Sequence, residues 1–223
     1  MREIRESTIV PRLGSYDEDE QRWASAKVRE ALDRAPAGTA EILAATLDDP
    51  VAEDRTKVLC AYLLSTVQDP RGIPTLLEHV GTTNEAASDL VLSGLINYGS
   101  DAVPHAIHIL ETGDDVARSA AASLLIDLRS PAGYDALWRR LEHERNAEIR
   151  FLLVCGIADD DRPLAIDRLL SALDDTDELV REPAWNALRV RADVPEALVF
   201  EPAGDASVRR VQVAKIDAWL HRR

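Results

Sequence analysis

Asp174-Asp175-Thr176-Asp177-Glu178-Leu179-Val180-Arg181 reads as an acidic turn, a helix cap, an apolar residue and an arginine in the first helical turn. An aspartate suits the cap because its side-chain oxygen accepts one of the first N–H groups that the helix leaves unpaired. The same order of features returns along the chain. The arginine position runs Arg22, Arg55, (Ser88), Arg118, Arg150, Arg181, Arg209, with steps of 33, 33, 30, 32, 31 and 28 residues. Caps precede it at Asp114, Asn146, Asp177 and Asp205, and Ala117, Ile149, Val180 or Val208 stands between cap and arginine.

A second marker, Pro70, (Asp101), Pro131, Pro163, Pro195, recurs at steps of 31, 30, 32 and 32 residues. Proline is favoured at the first helical position, where its missing N–H costs nothing. After each of the first four markers comes an apolar stripe at i, i+3, i+4, i+7, one face of an amphipathic helix. The stripes are Ile73-Leu76-Leu77-Val80, Val103-Ala106-Ile107-Leu110, Tyr134-Leu137-Trp138-Leu141 and Ile166-Leu169-Leu170-Leu173. The period of about 31 residues predicts stacked helical hairpins. First helices are predicted near 18–34, 51–67, 84–98, 115–129, 147–158, 178–191 and 206–221. Second helices are predicted near 37–47, 70–80, 101–111, 131–143, 163–173 and, shortened, 195–200. Pro183 should disturb the helix it lies in, since it removes a backbone donor.

The segments DDTDELVREPAWNAL at Asp174–Leu188 and GDDVARSAAASLL at Gly113–Leu125 resemble short HEAT-like repeats, the variety also found in phycobilisome lyase subunits. Neither a Thr-Pro-Leu-His block nor a Trp…Leu-Gly…Tyr pattern is present, which sets ankyrin and tetratricopeptide arrays aside. The resemblance covers roughly residues 17–221 and is strongest from Asp101 to Leu188. It implies an all-α fold, a right-handed α-α superhelix of about six helical hairpins with a C-terminal capping helix. It also implies that Arg55, Asp114, Arg118, Asn146, Arg150, Asp177, Arg181, Asp205 and Arg209 form a structural ladder, each arginine meeting the neighbouring unit's cap. An arginine beside the positive end of a helix needs such an anion, and Ser88 would interrupt the ladder.

Composition agrees with helices. Aromatics are 4% of the chain against 46% hydrophobic residues, so the core must be mostly Ala, Leu, Val and Ile, and 10 Gly with 11 Pro are too few for a turn-rich β fold. We expect an N-terminal arm or short helix over residues 1–16 and a single repeat domain over 17–223. A net charge of −14 argues against binding a phosphate backbone and suits a basic partner. The longest strongly apolar run, Phe151–Ala158, is too short to span a membrane, and a cytoplasmic location is expected. Cys60 and Cys155 form no metal or disulfide pattern.

In HEAT-like proteins the second helices line the concave face where partners bind. Positions opposite the stripes there give candidate partner-binding residues Thr75, Glu78, His79, His105, His108, Arg139, Arg140, His143 and Arg168, in columns that also take in Ala136, Ser171, Thr82, Thr112 and Asp175. His105, His108 and Glu111 are spaced like the start of a metal site. The HEAT-like deoxyhypusine hydroxylases bind di-iron through repeated His-Glu pairs, whereas this chain has one pair, His143-Glu144, in a turn. No catalytic residue, metal or cofactor is therefore expected. The leading expectation is a non-enzymatic scaffold that binds a protein or peptide, with neither nucleic acid nor membrane as partner. The alternatives are a HEAT-like enzyme or lyase-type accessory using the His105/His108 patch, an acidic inhibitor of a basic partner, and, least favoured by the charge, a DNA-binding protein.

Overall fold

A computed structural model describes residues 9–81 and 85–222, with the side chains of 85–87 outside the description. Among these residues there are thirteen α-helices and no strand. They are α1 (Ile9–Arg12), α2 (Glu18–Arg34), α3 (Pro36–Leu47), α4 (Asp54–Ser65), α5 (Gly72–Glu78), α6 (Glu85–Tyr98) and α7 (Val103–Thr112), the last preceded by a 3-10 turn, Gly99–Ala102. Then follow α8 (Asp115–Leu128), α9 (Pro131–Leu141), α10 (Ala147–Ala158), α11 (Leu164–Ala172), α12 (Glu178–Arg191) and α13 (Ala206–Leu220). The helices fall into two compact units, Met1–Ala106 and Ile107–Arg223, each with its own core.

The predicted signals set the helix ends. Asp17, Asp114, Ser130, Asn146 and Asp177 each accept hydrogen bonds from first-turn N–H groups of the helix that follows. Of the proline markers, Pro131 occupies the first helical position, as Pro36 does for α3, whereas Pro163 is the cap residue of α11 and Pro70 stands two residues before α5 begins. Asp205 stands at the cap of α13, but its side chain makes no capping bond. The helix α12 runs through Pro183.

One predicted helix is absent. Residues 195–200 form a turn and extended chain, not a second helix. The stretch is short and starts at proline, and tertiary contacts order it instead. Val194 and Phe200 are buried, and Phe200 packs its ring 5.7 Å from that of Trp185. The glutamine of α13 completes the link, Gln212 Oε1 accepting from the Glu201 N–H at 3.0 Å. The described chain thus holds five helical hairpins followed by α12 and α13, one hairpin fewer than expected.

In the first unit, α1 and the turn after it are part of the core: Val10 and Leu13 are buried with Ala24, Val28, Leu43 and Leu63. In the second unit Leu124, Leu125, Leu137, Leu153, Ile157 and Leu169 are at most 1% exposed. Each such side chain contributes about 1.5–3 kcal/mol of apolar transfer. This is the stripe pattern in three dimensions, a small-aliphatic core between helix layers.

The arginine positions show how consecutive hairpins are joined. Arg118 reaches Glu144 with Nε at 2.9 Å and Nη2 at 3.1 Å, and its Nη1 donates to the Gly113 carbonyl at 2.8 Å. Arg150 lies 3.4 Å from Asp175 and 3.7 Å from the cap Asp177, and donates to the Arg145 carbonyl. Buried Arg181 meets carbonyls, Pro202 O at 2.7 Å and Asp175 O at 2.8 Å, and Arg209 donates to the Gly204 carbonyl. Arg55 has its guanidinium 4.9 Å from the Tyr16 ring. The neighbouring cap aspartate is therefore only one of the acceptors. Arg118 passes over Asn146, which is neutral, for Glu144 two residues earlier. Arg181 faces the irregular 192–205 segment, which presents the Pro202 carbonyl where a regular repeat would bring an acid.

Candidate functional site

The nine candidate partner-binding residues divide between the two units. Thr75, Glu78, His79 and His105 belong to the first unit, and His108, Arg139, Arg140, His143 and Arg168 to the second. Thr75 and His79 are half-buried, and His79 Nδ1 lies 2.8 Å from the Thr75 carbonyl, so that imidazole caps its own helix. Glu78 and His105 are exposed.

In the second unit the stripe ruler fails for one column. Ala136 and Arg168 were expected to face solvent but are buried, at 2% and 7% exposure. Arg168 instead belongs to an internal ion cluster. Its Nη2 donates to Asp135 Oδ1 at 2.8 Å, its Nη1 stands 3.6 Å from Asp160, and its guanidinium lies 5.7 Å from the centre of the Trp138 ring. Arg162 closes the cluster with contacts to Asp135 and Asp160, both at 2.8 Å. Burial favours the protonated form of Asp160, but the hydrogen bonds and charge of Arg162 and the charge of Arg168 win and lower its pKa. Pairing with two aspartates and an indole face is what makes burial of this guanidinium tolerable, since taking an unpaired charge out of water is costly. Arg168 is thus a structural residue. The neighbouring column, His108, Arg139 and Ser171, is exposed as expected.

Arg140 is likewise occupied. It donates to Glu144 at 2.8 Å, and Glu144 also receives Arg118 and the N–H groups of Arg145 and Asn146. Sequence reasoning assigned no structural role to Glu144, Asp135 or Asp160. A signal for the first existed: the acid two places before the cap recurs, with Glu144 before Asn146 and Asp175 before Asp177. Asp160 carried no such mark, because it is one of three consecutive aspartates, and only the fold buries it while leaving Asp159 and Asp161 exposed.

What remains accessible in the second unit is a small surface of mixed chemistry. Exposed His108 and Glu111 stand one turn apart on α7, and the Arg139 guanidinium of α9 lies 3.8 Å from Glu111. His143, in the turn that follows α9, is exposed one helical turn beyond Arg139. A loosely paired exposed guanidinium is available to a carboxylate, and the two imidazoles bring ring nitrogens that can form hydrogen bonds. Among the described residues no group of three His, Cys, Asp or Glu side chains is placed to hold a metal ion. Cys60 is buried and its thiol is pushed up to about 12 by that burial, while half-buried Cys155 is also raised.

The helical hairpins, two of them opened by a cap with an arginine four residues on (Asp114 with Arg118, Asn146 with Arg150), bear out the resemblance drawn from the sequence. The repeats are HEAT-like. No family model matches the chain. Over 135 residues it is 30% identical to the bilin biosynthesis protein RpcF of Synechococcus sp. (strain WH8020), a stretch covering 56% of this chain and 62% of that protein. The chain thus spans about six-tenths of the length of this curated relative. Among solved structures, human deoxyhypusine hydroxylase in complex with glycerol aligns over 86% of this chain and 97% of its own, at 14% identity and a TM-score of 0.43. The CpcE–CpcF complex of phycocyanin lyase from Nostoc sp. PCC7120 aligns over 82% of this chain and 76% of its own, at 15% identity and a TM-score of 0.42. The sequence match corrects the functional expectation. A non-enzymatic scaffold, and with it the expectation of no enzyme, gives way because the matched protein is biosynthetic. Among the described residues no helix is long and apolar enough to cross a membrane.

Proposed function

We propose that this HEAT-like protein acts as a lyase-type enzyme or enzyme subunit that handles a bilin-like open-chain tetrapyrrole. The observation that carries this reading is the 30% identity over 135 residues to a bilin biosynthesis protein. The exposed face of α7 and α9 in the second unit offers chemistry for such a ligand. A bilin carries propionate carboxylates on an apolar conjugated body. Arg139, held only loosely by Glu111, can pair with a carboxylate, and His108 and His143 can hydrogen-bond pyrrole nitrogens or carboxyl groups. Neither cysteine suits a covalent attachment to the chain itself. Cys60 is buried as a neutral thiol and Cys155 is partly covered, so the ligand is held non-covalently.

The test is a titration of the purified protein with biliverdin, followed by visible absorption and induced circular dichroism. We expect a shifted absorption band and an induced signal, both reduced by Arg139→Glu and by His108→Ala combined with His143→Ala. An unchanged spectrum at protein concentrations of 100 micromolar would rule the reading out. A signal indifferent to all three substitutions would move the site elsewhere.

A further inference from the structure

The first unit carries a groove of about 1040 Å³ between α1, α3 and the start of α4. Its apolar part comes from Val10, Pro11, Ile42, Ala45 and Val51. Val51 is 86% exposed and Tyr16, on the rim, 83% exposed, both unusual for large apolar side chains. The titratable lining is one-sided: Glu20, Glu41, Asp49 and Glu53 against the single guanidinium of Arg12. Arg12 is already engaged, 3.3 Å from Glu20 and 5.6 Å from the Trp23 ring centre. Glu53 stands at the cap of α4 without making a capping bond, and Glu41 is 72% exposed although Arg71 approaches to 2.9 Å. Thr56, at the start of α4, also lines the groove and brings a hydroxyl to it.

From these observations we infer that this groove is a binding site for a basic peptide segment, one alternating cationic and aliphatic side chains. The aliphatic residues would lie on Val10, Ile42 and Val51, a backbone N–H or carbonyl would meet the Thr56 hydroxyl, and the cations would face Glu41, Asp49 and Glu53. The volume exceeds what a compact small molecule needs and the groove is open, which favours a chain over a small ligand. Complementary charge sets orientation and capture rate, while the apolar part sets residence. The inference is independent of the bilin reading, since it uses other residues in the other unit and a ligand of different chemistry.

The experiment uses fluorescence anisotropy of the full chain with a labelled heptapeptide alternating lysine and leucine, and a glutamate–leucine counterpart. The lysine peptide is expected to bind and the glutamate peptide not. Glu41→Lys with Glu53→Lys should weaken binding by at least about tenfold. Ala45→Trp, which fills the groove without altering charge, should remove it. Asp174→Lys with Glu178→Lys in the second unit makes the same change in net charge and should leave affinity within about twofold. Equal weakening by the two charge-reversed pairs would show attraction to the acidic chain as a whole and overturn the site. So would undiminished binding to a folded Ala45→Trp variant, with folding checked by circular dichroism. Spermine binding as tightly as the peptide would make the groove a small-cation site and overturn the peptide assignment. Biliverdin binding should be unaffected in every variant, so failure of one reading is separable from failure of the other.

Discussion

Replacing Glu144 with glutamine should destabilise the second unit by about 3 kcal/mol, a figure that follows from its surroundings. The side chain is 1% exposed and accepts from Arg118 twice, from Arg140, and from two backbone N–H groups. Burial alone would raise its pKa. The Arg118 hydrogen bonds, then the Asn146 N–H and the hydrogen bond and charge of Arg140, outweigh that and hold it at about 2 against an ordinary 4.5. At about 1.4 kcal/mol per tenfold change in proton affinity, the ionised form contributes about 3 kcal/mol. Glutamine resembles the protonated form and turns an N–H₂ toward guanidinium donors, so it should lose about that amount. For a chain of this length the melting temperature should fall by about 6–12 °C. Because the folded pKa lies below the unfolded one, the contribution is complete above pH 4.5 and disappears as pH falls toward 2. Thermal unfolding followed by circular dichroism at pH 7, 5, 3.5 and 2.5 should therefore show the gap between wild type and Glu144→Gln closing in the last two steps. A gap below 2 °C at pH 7, or one that stays constant down to pH 2.5, would refute this account of the joint.

Two further outcomes test the packing. Cys60, with its thiol at about 12, should be almost entirely protonated at pH 8, with roughly one ten-thousandth as thiolate; Ellman's reagent should label it only on unfolding. Labelling in the native state at the rate of free cysteine would contradict its burial. Gly72→Ala should cost about 1–3 kcal/mol, because the new Cβ would stand 2.5 Å from the Tyr98 hydroxyl and 2.6 Å from the Ala61 carbonyl. It would also disturb the bond from the Tyr98 hydroxyl to the Asp69 carbonyl, now 2.6 Å. An unchanged melting temperature in urea-matched scans would show that the α4–α5 contact is looser than described.

The helices were readable in the sequence because their determinants are local. A cap acts within its own first turn, a proline at the head of a helix restricts its own φ, and an i, i+3, i+4, i+7 stripe declares one face. The miss at 195–200 has the same cause in reverse. A six-residue stretch beginning with proline is too short to nucleate a helix unaided, and burial of Phe200 against Trp185 decided its shape.

The site was less legible. The ruler that separates inside from outside works for aliphatic stripes, but it misplaced Arg168. A long cation can be buried wherever the neighbouring turn brings an acid and an aromatic face, here Asp160, Asp135 and Trp138. The acidic groove of the first unit, too, joins Tyr16, Glu41 and Glu53 from three separate stretches. What Asp174–Arg181 determined by itself was a turn, a cap and the start of a helix, repeated at about 31 residues. Which acceptor each arginine takes was left to the tertiary structure. That choice depends on whether a carboxylate, a carbonyl or an aromatic ring arrives from a distant part of the chain, and local periodicity does not carry that information.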